Sequence, residues 1–201
     1  MPTIHTIGDS HSWFGWKDIK EFHVKINHLG PRLMHSFARD KEKLVDSRIY
    51  SGLGRNDTVI YCFGEIDCRC HIAKHVSNGN HHEIITDLCS RYVDSVLHMT
   101  RYYEHEIKTA IYSVVPPIRN YGKNQNLDFP FLGSDSERLE WHRFMNHTLR
   151  RLCSQNSIVF FDVTQEYEDE HGFLKDELSD GICHVNPPDG IIRIANQLGL
   201  H

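Results

Sequence analysis

The chain has little that would take it to a membrane or to nucleic acid. No apolar run approaches the ~20 residues that a bilayer-spanning helix needs, and the mean hydropathy is −0.48. Lys and Arg number 22 against 27 Asp and Glu, a formal charge of −5, so the basic footprint that nucleic acid or anionic lipid requires is missing. Internal repeats, low-complexity blocks and linker-like stretches are also missing. The expectation is therefore one domain spanning 1–201, long enough to bury a core without disulfide help. A strand-like run opens already at Thr3, leaving no room for the charged and apolar regions of a signal peptide, and a cytoplasmic location is expected.

Six cysteines (Cys62, Cys68, Cys70, Cys89, Cys153 and Cys183) are present, and in a chain of this kind they read as reduced thiols. The sixteen histidines are scattered rather than tracted. Cys68-x-Cys70-His71, with His75, His81 and His82 nearby, lacks the Cys-x₂₋₄-Cys spacing of structural zinc. Neither a metal nor an organic cofactor is expected.

What is present alternates between two periods. Apolar or β-branched runs at Thr3–Ile7, Glu21–Asn27, Asp57–Gly64, Lys108–Val115 and Ser157–Val163 read as strands, the third and last as buried ones. Helical spacing of Ile85, Leu88, Cys89, Tyr92, Val96 and Tyr103 predicts a helix from Glu83 to about Glu104. Trp141, Met145, Leu149 and Leu152 predict another over Ser134–Ser154, with Ser134 or Ser136 as its N-cap. Shorter helices are expected at Leu33–Ala38 and Pro187–Leu198, and Arg39–Ser51 is expected to be loop or surface helix. Five strands alternating with helices imply an α/β fold with a mostly parallel sheet. The long connection Ile118–Gly133 is a candidate substrate loop.

Strands of an open parallel sheet end on one rim, where ligands bind. Gly8-Asp9-Ser10 follows the first strand, Gly30 the second and Gly64-Glu65-Ile66-Asp67 the third, while Asp180 and His184 lie near the C-terminus. Serine becomes a nucleophile when a histidine takes its proton, and that histidine needs an acceptor to fix its tautomer. Glycine turns expose the backbone N–H groups that a developing oxyanion requires. Cys183 beside His184 reads as a bystander thiol, and Trp13, Phe14 and Trp16 as either core or pocket wall.

These blocks, in their order and spacing over nearly the whole chain, resemble the SGNH/GDSL hydrolase family. The resemblance implies a three-layer, flavodoxin-like α/β/α sandwich with a five-stranded sheet. It also implies Ser10 as nucleophile and oxyanion donor, Gly30 as a second donor, His184 as general base and Asp180 as its orienting acid. The string Gly64-Glu65-Ile66-Asp67-Cys68-Arg69 is similar to a divergent subset of the family, some of whose members are linked to glycan metabolism.

Two departures stand out. Ile66 occupies the place of the family's oxyanion asparagine, and a missing donor of that kind typically costs about 2.7–4 kcal/mol in the transition state. Arg69 or His71 is the expected substitute. Asp180 and His184 are separated by three residues where the family usually has two, so Asp67 and Asp162 remain alternatives for orienting the histidine. Asp9, His11, Glu65, Asp67 and Arg69 are expected to bind substrate. The implied activity is hydrolysis of a small-molecule or glycan ester, with acetyl as the preferred acyl group. An O-acyltransferase using the same triad and a catalytically degenerate binding module are the alternatives.

Overall fold

A computed structural model describes residues 2–40, 52–103, 106–120 and 127–200. Most of the Arg39–Ser51 expectation, part of the Ile118–Gly133 connection and the far end of the predicted Glu83–Glu104 helix lie outside the described residues.

Five strands form one parallel sheet in the order β2-β1-β3-β4-β5, with β1 at Thr3–Gly8, β2 at His23–His28, β3 at Thr58–Cys62, β4 at Lys108–Tyr112 and β5 at Val159–Phe161. β3 is buried along its whole length because it has a neighbouring strand on each side and helices over both faces. Its alternate residues feed two cores. Val59 and Tyr61 join Ile7, Ile111, Leu88, Tyr92, Met145 and Leu149 on one face. Ile60 and Cys62 join Ile4, Tyr112, Trp16, Phe161, Tyr167 and Ile191 on the other. Two apolar faces on one sheet, each needing cover, produce the three layers.

The first face is covered by α2 (Met34–Arg39), α3 (His81–Thr100) and α4 (Asp135–Gln155). In α3 the apolar stripe from Ile85 to Val96 is buried as its spacing demands. The helix stops at Thr100, and Tyr103 lies beyond it with its hydroxyl 2.5 Å from that of Tyr61. Ser134 caps α4 in a reciprocal capping box with Glu137, satisfying two N-terminal donors at once. The second face carries shorter pieces, α1 (His11–Phe14), α5 (Thr164–Tyr167) and α6 (Gly190–Gln197).

Three expectations are corrected. β5 is an edge strand with Val159 and Phe160 half-buried, since it has a neighbour on one side only. β2 is the opposite edge and begins at His23 rather than Glu21. The last helix begins at Gly190 with Asp189 as its N-cap, so the Pro187-Pro188 pair precedes the helix instead of opening it.

Candidate active site

The rim is assembled from the ends of β1, β2 and β3. A Cβ on Gly8 would lie 1.9 Å from the Cys62 carbonyl oxygen. Glycine thus lets β1 run against β3 up to the point where the Asp9 N–H donates to that same oxygen at 3.1 Å. The chain then turns, and Ser10, half-buried with φ −57° and ψ −25°, leads into α1. The Ser12 N–H and hydroxyl both donate to the Asp9 carbonyl, at 3.0 and 2.7 Å, fixing the turn. Ser10 Oγ has no hydrogen-bond partner among the described residues.

β2 delivers Gly30 to the same place. Gly8 is in register with His28, and the Leu29 N–H donates to the Gly8 carbonyl at 2.8 Å, so Ser10 and Gly30 each follow a paired position by two residues. Gly30 has φ +77°, a conformation that side chains rarely adopt. Among the described residues, the N–H groups of Ser10 and Gly30 donate to nothing.

The candidate acid and base come from one turn. His184 Nδ1 lies 2.6 Å from Asp180 Oδ2, while Asp180 Oδ1 accepts from the N–H groups of Ile182, Cys183 and His184 at 2.8, 3.0 and 3.0 Å. The Asp180 N–H donates to the His184 carbonyl at 3.1 Å, closing the loop with its extra residue inside. Burial pushes the Asp180 carboxyl up, but these amides and the His184 ring outweigh it, and its pKa sits below the usual carboxylate value. Asp180 is therefore the ionised partner, and it leaves His184 Nε2 as the ring's other nitrogen. The imidazole stacks on Phe14 of α1, with centroids 4.1 Å apart. Neither alternative acid bonds His184: Asp162 accepts from the Thr164 N–H and from Arg150, and Asp67 turns to α2.

The segment after β3 provides the floor. Arg69 donates Nε–H and Nη2–H to the two oxygens of Glu65, at 2.7 and 3.1 Å, and Nη1–H to the Phe129 carbonyl. Of the five N–H groups of a guanidinium, three are used this way, leaving two. The pair is nearly buried, with Arg69 6% and Glu65 9% exposed. Asp67 is fully buried, and its carboxylate accepts from the N–H groups of Met34 and His35 at the start of α2.

Ser10, His184, Ile66 and Arg69 line one cleft of about 570 Å³, together with Phe14, His28, Pro31, Phe129, Ile182 and Cys183. Gly30 sits beside it, between His28 and Pro31. Asp9, His11, Glu65 and Asp67 do not line the cleft; the structure turns them inward, because each is occupied by internal partners. His71 also stays out of the cleft; it packs against His35 and His75 at centroid distances of 4.6 Å. Of the three aromatics after Ser10, Phe14 lines the cleft, Trp16 is core and Trp13 is 47% exposed. His28, Pro31 and Ile182 were not singled out as cleft residues; Pro31 directly follows Gly30, His28 lies two residues before it and Ile182 lies between Asp180 and His184, and that nearness was the available signal. Phe129 belongs to the candidate substrate loop.

The zinc-like spacing does not converge. Cys68 Sγ approaches Met145 Sδ at 3.8 Å and Cys70 Sγ the Ile66 carbonyl at 3.3 Å. Among the described residues, one group brings potential ligand atoms within 4.8 Å of one another, namely His81, His82 and Glu140, and none of these lines the cleft. No helix among the described residues is long and apolar enough to cross a membrane.

A parallel α/β sheet thus carries Ser10, the Asp180–His184 pair and the N–H groups of Ser10 and Gly30 at one rim, and serine acyl transfer draws on groups of these kinds. The sequence matches no protein-family model and no curated protein. Solved structures do match. The chain is similar to the aryl esterase of M. smegmatis, with 16% identity, 99% of each chain covered and a TM-score of 0.58. It is similar to a GDSL-like lipase from Bacteroides thetaiotaomicron VPI-5482, with 12% identity over 98% of this chain and 84% of that one and a TM-score of 0.59. A carbohydrate acetylesterase from Sinorhizobium meliloti matches at 15% identity, 98% and 96% coverage and a TM-score of 0.56. The likeness is one of fold: these structures share the three-layer α/β architecture over nearly the whole of this chain.

Proposed function

We propose that this chain is a serine esterase of the SGNH/GDSL type that removes small acyl groups, acetyl foremost, from a carbohydrate or similar ester. The observation that carries the reading is the Asp180–His184 pair at 2.6 Å, on the same cleft as Ser10. In this reading Ser10 Oγ attacks the ester carbonyl and His184 Nε2 takes its proton. The Ser10 and Gly30 N–H groups stabilise the oxyanion, and His184 returns the proton to the departing alkoxide. Water, activated by the same nitrogen, then releases the acid from acyl-Ser10. The two remaining N–H groups of Arg69 are the available third source of donors, in place of the side chain that Ile66 lacks. The carbohydrate preference is supported by the acetylesterase among the structural neighbours.

The decisive experiment is intact-mass analysis after fluorophosphonate treatment. One adduct on the wild type, none on Ser10→Ala and slow formation on His184→Ala are expected, followed by acetate release from acetylated sugars. Ile66 favours a second reading, a binding module with a degenerate centre, which predicts no adduct on any of the three.

A further inference from the structure

His11 follows the candidate nucleophile directly, yet it does not face the cleft. It is 3% exposed, and each of its ring nitrogens meets an acceptor. Nδ1 lies 3.2 Å from Asp9 Oδ1, which also accepts the His11 N–H at 2.9 Å. Nε2 lies 3.1 Å from the carbonyl oxygen of Cys183, 172 residues away in the chain. A neutral imidazole carries one N–H and one lone pair, so it can satisfy only one of two acceptors. Both bonds form together only when the ring is an imidazolium.

The surroundings favour that charge. Asp9 is fully buried and its Oδ2 has no partner, so His11 is the group that balances this carboxylate; an uncompensated buried charge is strongly destabilising. The groups facing His11 are Asp9 on its own turn, Glu65 after β3, Cys62 and Tyr112 of β3 and β4, and Cys183 and His184 of the C-terminal turn. Glu65 is paired with the Arg69 guanidinium, and burial keeps the Cys62 thiol and the Tyr112 phenol neutral. Burial opposes charge on His11, but the Asp9 hydrogen bond and the Asp9 and Glu65 charges outweigh it and raise its pKa.

We propose that His11 is a positioning residue, an imidazolium bridge that locks the Asp180–His184 turn onto the Ser10 turn and releases it on deprotonation. The proposal rests on reading Ser10 and His184 as nucleophile and base. The bridge ties the Asp9 carboxylate, one residue before Ser10, to the Cys183 carbonyl, one residue before His184. It thus spans the two segments whose relative placement sets the Ser10–His184 distance. When the ring loses a proton to solvent, the one it keeps stays on Nδ1 against the carboxylate, the stronger acceptor. The Nε2 lone pair then faces the lone pairs of the Cys183 carbonyl, and attraction becomes repulsion. Because the folded pKa is raised, the bridge is complete below the ordinary histidine value of ~6.5 and is lost as pH climbs through the folded value above it. Activity should therefore show an alkaline loss that disappears when the residue at position 11 cannot titrate.

Two measurements test this. The first is ¹⁵N NMR of the histidine side chains of the full chain. Two protonated nitrogens on His11 at pH 7 are expected, with the Cys183 carbonyl ¹³C shift moving at the same pH at which the ring titrates. A neutral His11 ring at pH 7 overturns the proposal. The second is the rate of fluorophosphonate labelling of Ser10 from pH 6 to 10, in the wild type and in His11→Gln and His11→Leu. The wild-type rate should fall at the alkaline end. Gln donates to the Cys183 carbonyl but has no proton to lose, so its profile should stay level there. Leu should slow labelling about tenfold or more at every pH, since small misplacements at a reacting centre can cost about 10²-fold. An alkaline limb that persists unchanged in His11→Gln overturns the proposal. If wild-type Ser10 takes no label at any pH, it is the esterase reading that fails, and the NMR titration decides the bridge alone.

Discussion

The Asp67 carboxylate accepts a 2.6 Å hydrogen bond from the Met34 N–H and a 3.2 Å bond from that of His35, holding the first turn of α2 from 33 residues away. Burial pushes its pKa up to about 7; the two amides oppose the rise, and the Asp9 and Glu65 charges add to it. A carboxyl whose folded pKa is raised stabilises the fold fully below its unfolded value of ~3.9 and loses that contribution as pH rises through the folded value. Asp67→Asn keeps an acceptor and removes the titration, so its melting temperature should fall less than the wild type's between pH 5 and 8. Asp67→Ala should lose about 1–3 kcal/mol at both pH values by stranding two donors. Thermal unfolding followed by circular dichroism reads both.

Arg69 lines the cleft while two of its N–H groups are held by Glu65. Arg69→Lys keeps the charge but cannot reproduce the forked pairing with Glu65. Its expected effect is a labelling or hydrolysis rate at least about tenfold lower, the direction expected when an oxyanion donor is lost. A rate equal to the wild type's would remove Arg69 from the oxyanion site.

Ile66 offers the converse test. It lines the cleft at the place where a hydrogen-bonding side chain is expected. Ile66→Asn should raise the rate of Ser10 labelling about tenfold or more if a donor is limiting, since a single such donor is worth about 10²–10³ in comparable sites. Stopped-flow or quenched labelling at one pH is sufficient. An unchanged rate in a folded variant would mean that the two backbone amides and Arg69 already suffice.

Cys183 is half-buried in the cleft, and burial, aided by the Glu65 charge, pushes its thiol up to about 12. The thiolate is the reactive form. Iodoacetamide at pH 7.5 should therefore leave Cys183 unmodified over the period in which a simple thiol reacts to completion. Peptide mapping by mass spectrometry checks this, and rapid alkylation would contradict the burial.

Much of the rim was legible because its residues are tied to local chain geometry. The β-branched run ending at Gly8 sets both the strand and its close approach to Cys62, and both features are local enough to read. Asp180 and His184 were legible as a pair because four residues of separation can close in one turn. What was not legible depends on partners far apart in sequence. Nothing around Asp67 announces that it caps a helix beginning at Met34. Nothing around His11 announces the Cys183 carbonyl, so a residue beside the serine is naturally read as contacting substrate. The edge position of β5 was missed for the same reason, since β5 has an apolar sequence and its missing neighbour is a property of the sheet order.

The Asp180–His184 turn is closed upon itself: one carboxylate binds three successive amides and the ring, and the backbone seals the ends. The candidate acid and base therefore form a cartridge whose internal alignment is set by bonds within the turn. If the segment swings away from the serine, the pair travels with it intact and with the same internal orientation. On the esterase reading, such a displacement would part the pair from Ser10 without dismantling it.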